Sequence, residues 1–96
     1  MNKYTFFVYI LRCCDGSYYT GMAGNIEWRI AEHYQGNGCD YTAKRLPLKL
    51  VWVESFGTKG EALEAERKIK NWSQKKKKAL ISGNWEEVRK NAKKKF

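Results

Sequence analysis

Five side chains in the sequence have the chemistry needed to move a proton, hold an oxyanion or bind a metal ion. They are two tyrosines, an arginine, a histidine and a glutamate: Tyr9, Tyr19, Arg29, His33 and Glu66. A phenol or an imidazole can accept and relay a proton, a guanidinium can donate two hydrogen bonds to an oxyanion, and a carboxylate can hold a divalent cation. Each residue type is also common in purely structural positions, so the elements that carry the five decide what they do.

The two tyrosines lie on runs of β-branched and aromatic residues joined at Asp15-Gly16, a pattern typical of a β-hairpin. A two-residue loop would place Tyr9 and Tyr19 on opposite faces of the ribbon. A three-residue loop with Gly16 in the left-handed conformation makes them diagonal neighbours on one face, roughly 7–8 Å apart at the backbone. In that register Gly21 stands opposite Tyr9 and leaves open space in front of it. We therefore expect the three-residue loop.

A helix is predicted over residues 26–35, because Asn25 is a good N-cap and Gly36 is placed to end the helix. Arg29 and His33 are four residues apart, so they share one face of this helix and could reach the same pocket. The alternative is a solvated arginine beside a partly buried histidine. The core-facing stripe of the helix is predicted to consist of Ile26, Ile30 and Tyr34.

The middle of the chain predicts a loop followed by a strand. The loop, residues 36–46, carries an aromatic ring and two cations that suit an anionic backbone: Tyr41, Lys44 and Arg45. The strand begins at Pro47 and runs to about Phe56. Both of its alternating sets of residues contain apolar side chains, so we expect a central strand that is covered on two sides.

A second long helix, residues 59–71, is predicted to begin with a capping box formed by Thr58 and Glu61. Glu66 lies at the edge of the apolar stripe of this helix. It is either an exposed charge paired with Lys70 or a ligand aimed at a site between helix and sheet. The stripe is predicted to consist of Ala62, Ala65, Ile69 and Trp72, with Leu63 on its flank.

The length and charge of the chain narrow the class of partner. A chain of 96 residues allows one domain, with its core expected over about residues 4–81. Nineteen Lys and Arg against ten Asp and Glu give a net charge of +9, which favours a polyanion such as nucleic acid. No apolar run could span a bilayer and no signal peptide is visible, so we expect a cytoplasmic protein with no membrane partner. Three cysteines without a pairing pattern are expected to be reduced: Cys13, Cys14 and Cys39.

Lysines dominate the C-terminal part of the chain. Ser73 is the expected cap of a helix that contains the four-lysine run 75–78. Lys75 and Lys76 are predicted to give salt-sensitive, sequence-blind contacts to nucleic acid, although lysines that serve only solubility would give the same pattern. A capping pattern at Asn84 predicts a last short helix in the basic segment 84–96.

Together these elements predict an α+β fold: a small three-stranded, mainly antiparallel sheet, made of the N-terminal hairpin and one later strand, flanked by three to four helices. Their order resembles the GIY-YIG endonuclease family, and specifically its small single-domain bacterial members. The resemblance covers residues 4–81 and rests on Phe7-Val8-Tyr9, Tyr19-Thr20-Gly21, the helical Arg29, and Glu66 on the later helix. The chain departs from the family pattern at Phe7, Thr20, Met22 and His33.

The resemblance implies a nuclease that uses one divalent cation, Mg²⁺ or Mn²⁺, held by Glu66. Water would attack the phosphodiester, Tyr9 or Tyr19 would take its proton, and Arg29 would steady the phosphate. A free phenol with a pKa near ~10 is a poor base at neutral pH, so a nearby cation and the metal would have to favour the phenolate. His33 could orient the water or a tyrosine, or serve as the base itself.

We therefore expect a metal-dependent endonuclease that acts on nucleic acid, on DNA more than on RNA. Because no element resembles a groove-reading helix, we expect low sequence specificity. The alternatives are an inactive nucleic-acid-binding module of the same fold, or a basic protein whose partner is an acidic protein or membrane. A lone active site could cut both strands only by dimerising or by acting twice, so we expect a monomer or a weak homodimer.

Overall fold

The computed structural model describes residues 5–83 of the chain. Three antiparallel strands form one sheet in the order β2-β1-β3: β1 is Phe6–Arg12, β2 is Tyr18–Ala23 and β3 is Lys49–Phe56. Two of the four helices in these residues lie between β2 and β3, and two follow β3: α1 is Ile26–Tyr34, α2 is Asp40–Ala43, α3 is Lys59–Lys70 and α4 is Gln74–Ser82. The predicted α+β architecture is confirmed.

The hairpin between β1 and β2 has the predicted register. Gly16 adopts a φ of +85°, and its amide donates to the Cys13 carbonyl at 2.9 Å, which closes the three-residue loop. Tyr9 consequently pairs with Gly21, and Tyr19 pairs with Leu11. The two tyrosines therefore lie on the same face of the sheet.

Strand β1 is the centre of the sheet, and each of its faces is covered by helices. Val8 and Ile10 pack on one face against the apolar side chains of α3 and α4, including Ile69 and Leu80. Tyr9 and Leu11 pack on the other face against Ile30 of α1. An apolar run without polar alternation is typical of a strand buried on both sides, and this run occurs in β1.

The expectation that the third strand is central was wrong. Strand β3 lies at an edge of the sheet, pairs only with β1 among the strands of residues 5–83, and leaves Val53 44% exposed. Its two apolar sets arise because Val51 and Trp52 pack toward the α3 and α4 side, whereas Leu48 and Leu50 pack toward Tyr9 and Leu11. In this chain, apolar residues on both faces of a strand therefore occur in an edge strand that is only partly covered.

The helices begin where the capping residues predict. Asn25 accepts the amide of Trp28 at 3.0 Å, Thr58 accepts the amide of Glu61 at 3.1 Å, and Ser73 accepts the amide of Lys76 at 3.2 Å. Helices α1 and α3 end within one residue of the predicted positions. The helix predicted from Asn84 onward lies outside the described residues.

Two local expectations around α1 were wrong. The predicted stripe included Tyr34, but Tyr34 is 47% exposed and accepts the Leu50 amide at 2.9 Å, while His33 is fully buried. The helix is therefore turned so that Ile30 and His33, three residues apart, face the sheet. The segment after α1 is not entirely a loop, because residues 40–43 form the single turn α2.

Two further expectations concerned the state of the cysteines and the presence of a membrane-spanning segment. Cys13 is buried, Cys14 is exposed and Cys39 is half-buried, and all three are free thiols. Within residues 5–83 no helix has the length and hydrophobicity needed to cross a membrane.

Candidate active site

The Tyr9 phenol lies at the centre of the candidate site. Its side chain is fully buried, and its hydroxyl lies 2.8 Å from Nε2 of His33. Gly21 of the neighbouring strand allows this placement, because a Cβ atom at Gly21 would overlap the Tyr9 hydroxyl. The glycine of the second motif thus makes room for the tyrosine of the first.

His33 is held on its other side by a residue from α2. Its Nδ1 lies 2.9 Å from the Thr42 hydroxyl, and Thr42 is itself fully buried. The Thr42 hydroxyl donates to the Cys39 carbonyl at 3.4 Å, so it accepts from Nδ1–H of His33. We assign this tautomer from the hydrogen-bond network, and it leaves Nε2 as the acceptor of the Tyr9 proton.

The environment of His33 keeps its imidazole neutral. Burial, and then the positive charge of Arg29, lower the pKa of His33 below its usual value. Gly38 presses against the imidazole so closely that a Cβ atom there would overlap the ring. A neutral, tightly held imidazole is suited to accept one proton and return it.

Tyr19 lies beside this pair as part of an aromatic cluster. Its ring centroid is 6.5 Å from that of Tyr9 and 5.3 Å from that of His33, and it stacks on Tyr41 at 6.0 Å. Burial, and then its interaction with the Cys39 thiol, raise the pKa of Tyr19 to about 12. Tyr19 therefore keeps its proton at neutral pH.

Arg29 brings the positive charge to the site. Its side chain is 30% exposed and forms an ion pair with Glu32 at 3.3 Å, one helical turn away. Burial raises the pKa of Tyr9, and the guanidinium of Arg29 acts in the opposite direction through hydrogen bonding and charge. Arg29 therefore lies near enough to Tyr9 to influence its pKa, and its role in catalysis stays a prediction.

Glu66 reaches the same region from α3. Its side chain is 21% exposed, and its carboxylate lies 3.8 Å from the ammonium of Lys70. Its negative charge also raises the pKa of Tyr9, although burial is the main cause of that increase. Of the two alternatives for Glu66, the i,i+4 partner Lys70 is present, and the role as a ligand at a site between helix and sheet stays a prediction.

The donor set around Glu66 restricts what metal it could bind. Residues 5–83 contain no group of three or more His, Cys, Asp and Glu side chains placed to share a metal ion. That excludes a closed all-protein site within this part of the chain, but Mg²⁺ is commonly held by one or two carboxylates together with water and substrate phosphate. A single, partly exposed carboxylate such as that of Glu66 fits the latter kind of site.

The residues predicted to contact nucleic acid fall into two groups. Tyr41, Lys44 and Arg45 lie on or next to α2, and the Arg45 guanidinium stands 3.8 Å above the Tyr41 ring, which in turn stacks on Tyr19. Lys75 and Lys76 lie on α4, where Lys75 is exposed and Lys76 is largely buried with its ammonium 4.1 Å over Trp72. Their role in nucleic-acid binding stays a prediction.

Sequence reasoning missed three residues that build the site: Gly38, Cys39 and Thr42. All three lie in or just before α2, which at four residues is too short to show a helical period. A threonine three residues after a cysteine carries no signal by itself. The local sequence pattern that was visible, glycines at 36 and 38, predicted only a loop.

The fold and the site define a small catalytic domain of the GIY-YIG class. The family model for the GIY-YIG catalytic domain matches residues 5–79, so the chain belongs to the GIY-YIG family, which is a family of nucleases. The resemblance read from the sequence is thereby confirmed.

Three bacterial proteins that are similar to this chain share the group name UPF0213. A UPF0213 protein of Staphylococcus saprophyticus is 51% identical over 82 residues, 85% of this chain and 98% of that relative. A UPF0213 protein of Bacillus pumilus is 40% identical over 81 residues, 84% of this chain and 83% of the relative. The solution NMR structure of a UPF0213 protein from Bacillus halodurans is similar with a TM-score of 0.55 and 40% identity, covering 92% of this chain and 97% of that one. The names of these three proteins state no activity.

Proposed function

We propose that this chain is a divalent-metal-dependent endonuclease that hydrolyses phosphodiester bonds in nucleic acid, DNA in preference to RNA, with low sequence specificity. The observation that carries the proposal is the buried hydrogen-bonded chain from Tyr9 through His33 to Thr42. Membership of a nuclease family supports the reaction class. The preference for DNA rests on the resemblance alone.

The hydrogen-bonded chain supplies a route for a proton. As water attacks phosphorus, its proton passes to the Tyr9 oxygen while the Tyr9 proton passes to Nε2 of His33. The bond from phosphorus to the leaving oxygen breaks, and that oxygen takes a proton from solvent. Because the proton moves on to His33, Tyr9 avoids the full cost of forming a phenolate whose pKa is raised by burial.

Thr42 makes His33 able to receive that proton. Its hydroxyl oxygen accepts from Nδ1–H both in the neutral imidazole and in the imidazolium, so no group has to rotate when His33 becomes charged. The cationic Arg29 opposes this charging, which favours rapid return of the proton. The resting state is therefore restored after each cleavage.

Arg29 and Glu66 would handle the negative charge of the substrate. Arg29 can donate two hydrogen bonds to phosphate oxygens, and its partial exposure leaves it open to a ligand. Glu66 would hold a Mg²⁺ or Mn²⁺ ion, which would neutralise charge developing on the phosphate and the leaving oxygen. The ion pair with Lys70 would have to open for that, and at 3.8 Å on the surface it costs little to break.

A second candidate is a nucleic-acid-binding module of the same fold that does not cleave. The observation that favours it is the Lys70 ammonium beside Glu66, since a carboxylate already paired with lysine needs no metal. The basic composition would then provide salt-sensitive binding alone.

One experiment separates the two functions. The full chain is incubated with single-stranded, duplex and branched DNA and with the matching RNAs, in Mg²⁺, Mn²⁺ or EDTA. The nuclease predicts cleavage that requires metal and is abolished by Glu66→Gln and Arg29→Ala. Glu64→Gln is the matched control, because Glu64 lies on the same helix and pairs with a lysine, Lys68, at 3.0 Å. Binding without cleavage of any substrate would support the module instead.

A further inference from the structure

The start of α4 and the hairpin turn enclose a small polar concavity on the side of the sheet away from Tyr9. The side-chain amide of Gln74 donates a hydrogen bond to the Gly16 carbonyl at 3.2 Å, which connects the helix to the turn. The concavity measures about 210 Å³, and none of its lining residues is acidic: Ser17, Tyr18, Trp72, Gln74 and Lys77. It is large enough to admit a tetrahedral anion.

Lys77 is the charged residue of this concavity and is nine-tenths buried. Its side chain is only 7% exposed, and within residues 5–83 it makes no hydrogen bond or ion pair. Burial, and then repulsion from Lys70, lower the pKa of its ammonium. Lys77 lines the concavity, and an anion bound there would pair with its ammonium and offset the hydration that partial burial removes.

The neighbouring Lys76 shows what a satisfied lysine looks like in the same helix. Its ammonium stands 4.1 Å over the ring of Trp72, so an aromatic face compensates for the lost water. Lys77 has no such contact and lines the concavity instead. The two lysines are adjacent in sequence and similarly buried, but their ammonium groups have different surroundings.

The first turn of α4 borders the concavity through Gln74. The Ser73 cap takes the amide of Lys76, and the amides of Gln74 and Lys75 belong to the turn in which a helix has no acceptor of its own. No acidic side chain occupies this first turn, although acidic residues are favoured there. Free amides at the positive end of a helix bind phosphate well.

We propose that this concavity is a phosphate subsite that holds a backbone phosphodiester of the nucleic acid a short distance along the strand from the bond that is cut. Tyr18 lines the subsite and Tyr19 belongs to the candidate active site. Successive residues of a strand point to opposite faces of the sheet. Because β2 is an edge strand, a nucleic-acid strand that passes over this edge reaches both places.

The subsite rests on the proposed function, since its ligand is a part of the proposed substrate. It also sharpens that function, because a strand crossing a sheet edge must bend or be unpaired there. The preferred substrate is therefore nucleic acid with a single-stranded or flexible segment around the scissile bond.

The first test compares two substitutions in the lysine run of the full chain. Lys77→Met removes the buried charge with little change in volume, and Lys78→Met removes the same charge from an exposed position. Binding of a single-stranded DNA oligonucleotide is measured in EDTA, where metal-dependent cleavage cannot occur, over a series of salt concentrations. Lys77→Met should weaken binding about tenfold, as for loss of a hydrogen bond to a charged group, and reduce the salt slope by about 0.7. Lys78→Met should change both much less. Equal effects of the two substitutions would overturn the subsite.

The second test uses inorganic phosphate as the probe and needs no variant to fold. Titration of phosphate into the ¹⁵N-labelled protein should shift the amide signals of Gln74 and Lys75 at concentrations that leave the amides of α1 unchanged. The oligonucleotide should shift the same signals at far lower concentration, which distinguishes a backbone phosphate from free phosphate as the ligand. Unchanged Gln74 and Lys75 signals in both titrations would refute the proposal.

The outcomes also separate this proposal from the nuclease itself. Metal-dependent cleavage with no effect of Lys77→Met on binding would remove the subsite and leave the nuclease in place. Phosphate and oligonucleotide binding at Lys77 without cleavage would keep the subsite and remove the nuclease.

Discussion

The Tyr9 phenol and the His33 imidazole, 24 residues apart in the chain, form a buried hydrogen bond of 2.8 Å. This contact distinguishes the two tyrosines of the motifs, because only the Tyr9 proton has the neutral imidazole as its acceptor. Tyr19, with its pKa raised to about 12 by burial and then by Cys39, is placed to shape the pocket and to carry the Tyr41 stack. Within the proposed function, Tyr9 is therefore the residue that takes the proton from water.

Tyr9→Phe tests this assignment with a minimal change. The ring remains and only the hydroxyl is removed, but Nε2 of the buried His33 loses its partner, so we expect a loss of about 1–3 kcal/mol in the free energy of unfolding. Cleavage should fall by about 10²–10⁴-fold, the usual contribution of a positioned acid-base group. Single-turnover cleavage rates and a denaturant melt check both expectations. Tyr19→Phe is the comparison, and an equal or larger loss of cleavage there would reverse the roles of the two tyrosines.

Thr42 is predicted to act as a positioning residue for His33. Thr42→Val keeps the shape and leaves Nδ1 of His33 without a partner, which should destabilise the protein by about 1–3 kcal/mol. Cleavage should also fall, and its pH profile should shift because the imidazole loses its fixed tautomer. Thr42→Ser restores the hydroxyl and should recover both the rate and the profile. A Val variant with an unchanged pH profile would limit Thr42 to a structural role.

The sequence predicted what short-range rules determine and failed where packing decides. Gly16 fixes the hairpin loop, and the loop fixes the register that brings Tyr9 and Tyr19 to one face. The caps located the helices, and the spacing placed Glu66 at the edge of α3. The rotation of α1, which buries His33 and exposes Tyr34, depends on contacts with Gly38 and Thr42 that no periodic pattern records.

Stability should depend on pH through His33, the single histidine of the chain. Its pKa in the folded protein is lowered by burial and then by Arg29, so the unfolded chain binds a proton more readily. The stabilisation is complete above the unfolded value of about 6.5 and is lost as pH falls toward the folded value, by about 1.4 kcal/mol per unit of lowering. Denaturant midpoints measured from pH 8 to pH 5 give the dependence. His33→Gln should flatten it over pH 7 to 5.5, and a persistent slope in that variant would assign the effect to other groups.

Three glycines provide a test of the packing around the Tyr9 and His33 rings. A Cβ at Gly21 would overlap the Tyr9 hydroxyl, and a Cβ at Gly38 would overlap the His33 ring, whereas Gly24 has open space. Gly21→Ala and Gly38→Ala should each cost about 1–3 kcal/mol of stability, the usual penalty for overpacking. Both should also reduce cleavage, because the Tyr9 to His33 hydrogen bond cannot keep its length when either ring is displaced. Gly24→Ala is the matched control and should alter stability by no more than about 0.5 kcal/mol. Melting curves and cleavage rates of the three variants test these expectations. Full activity in Gly21→Ala would show that cleavage does not require the Tyr9 phenol in its observed position.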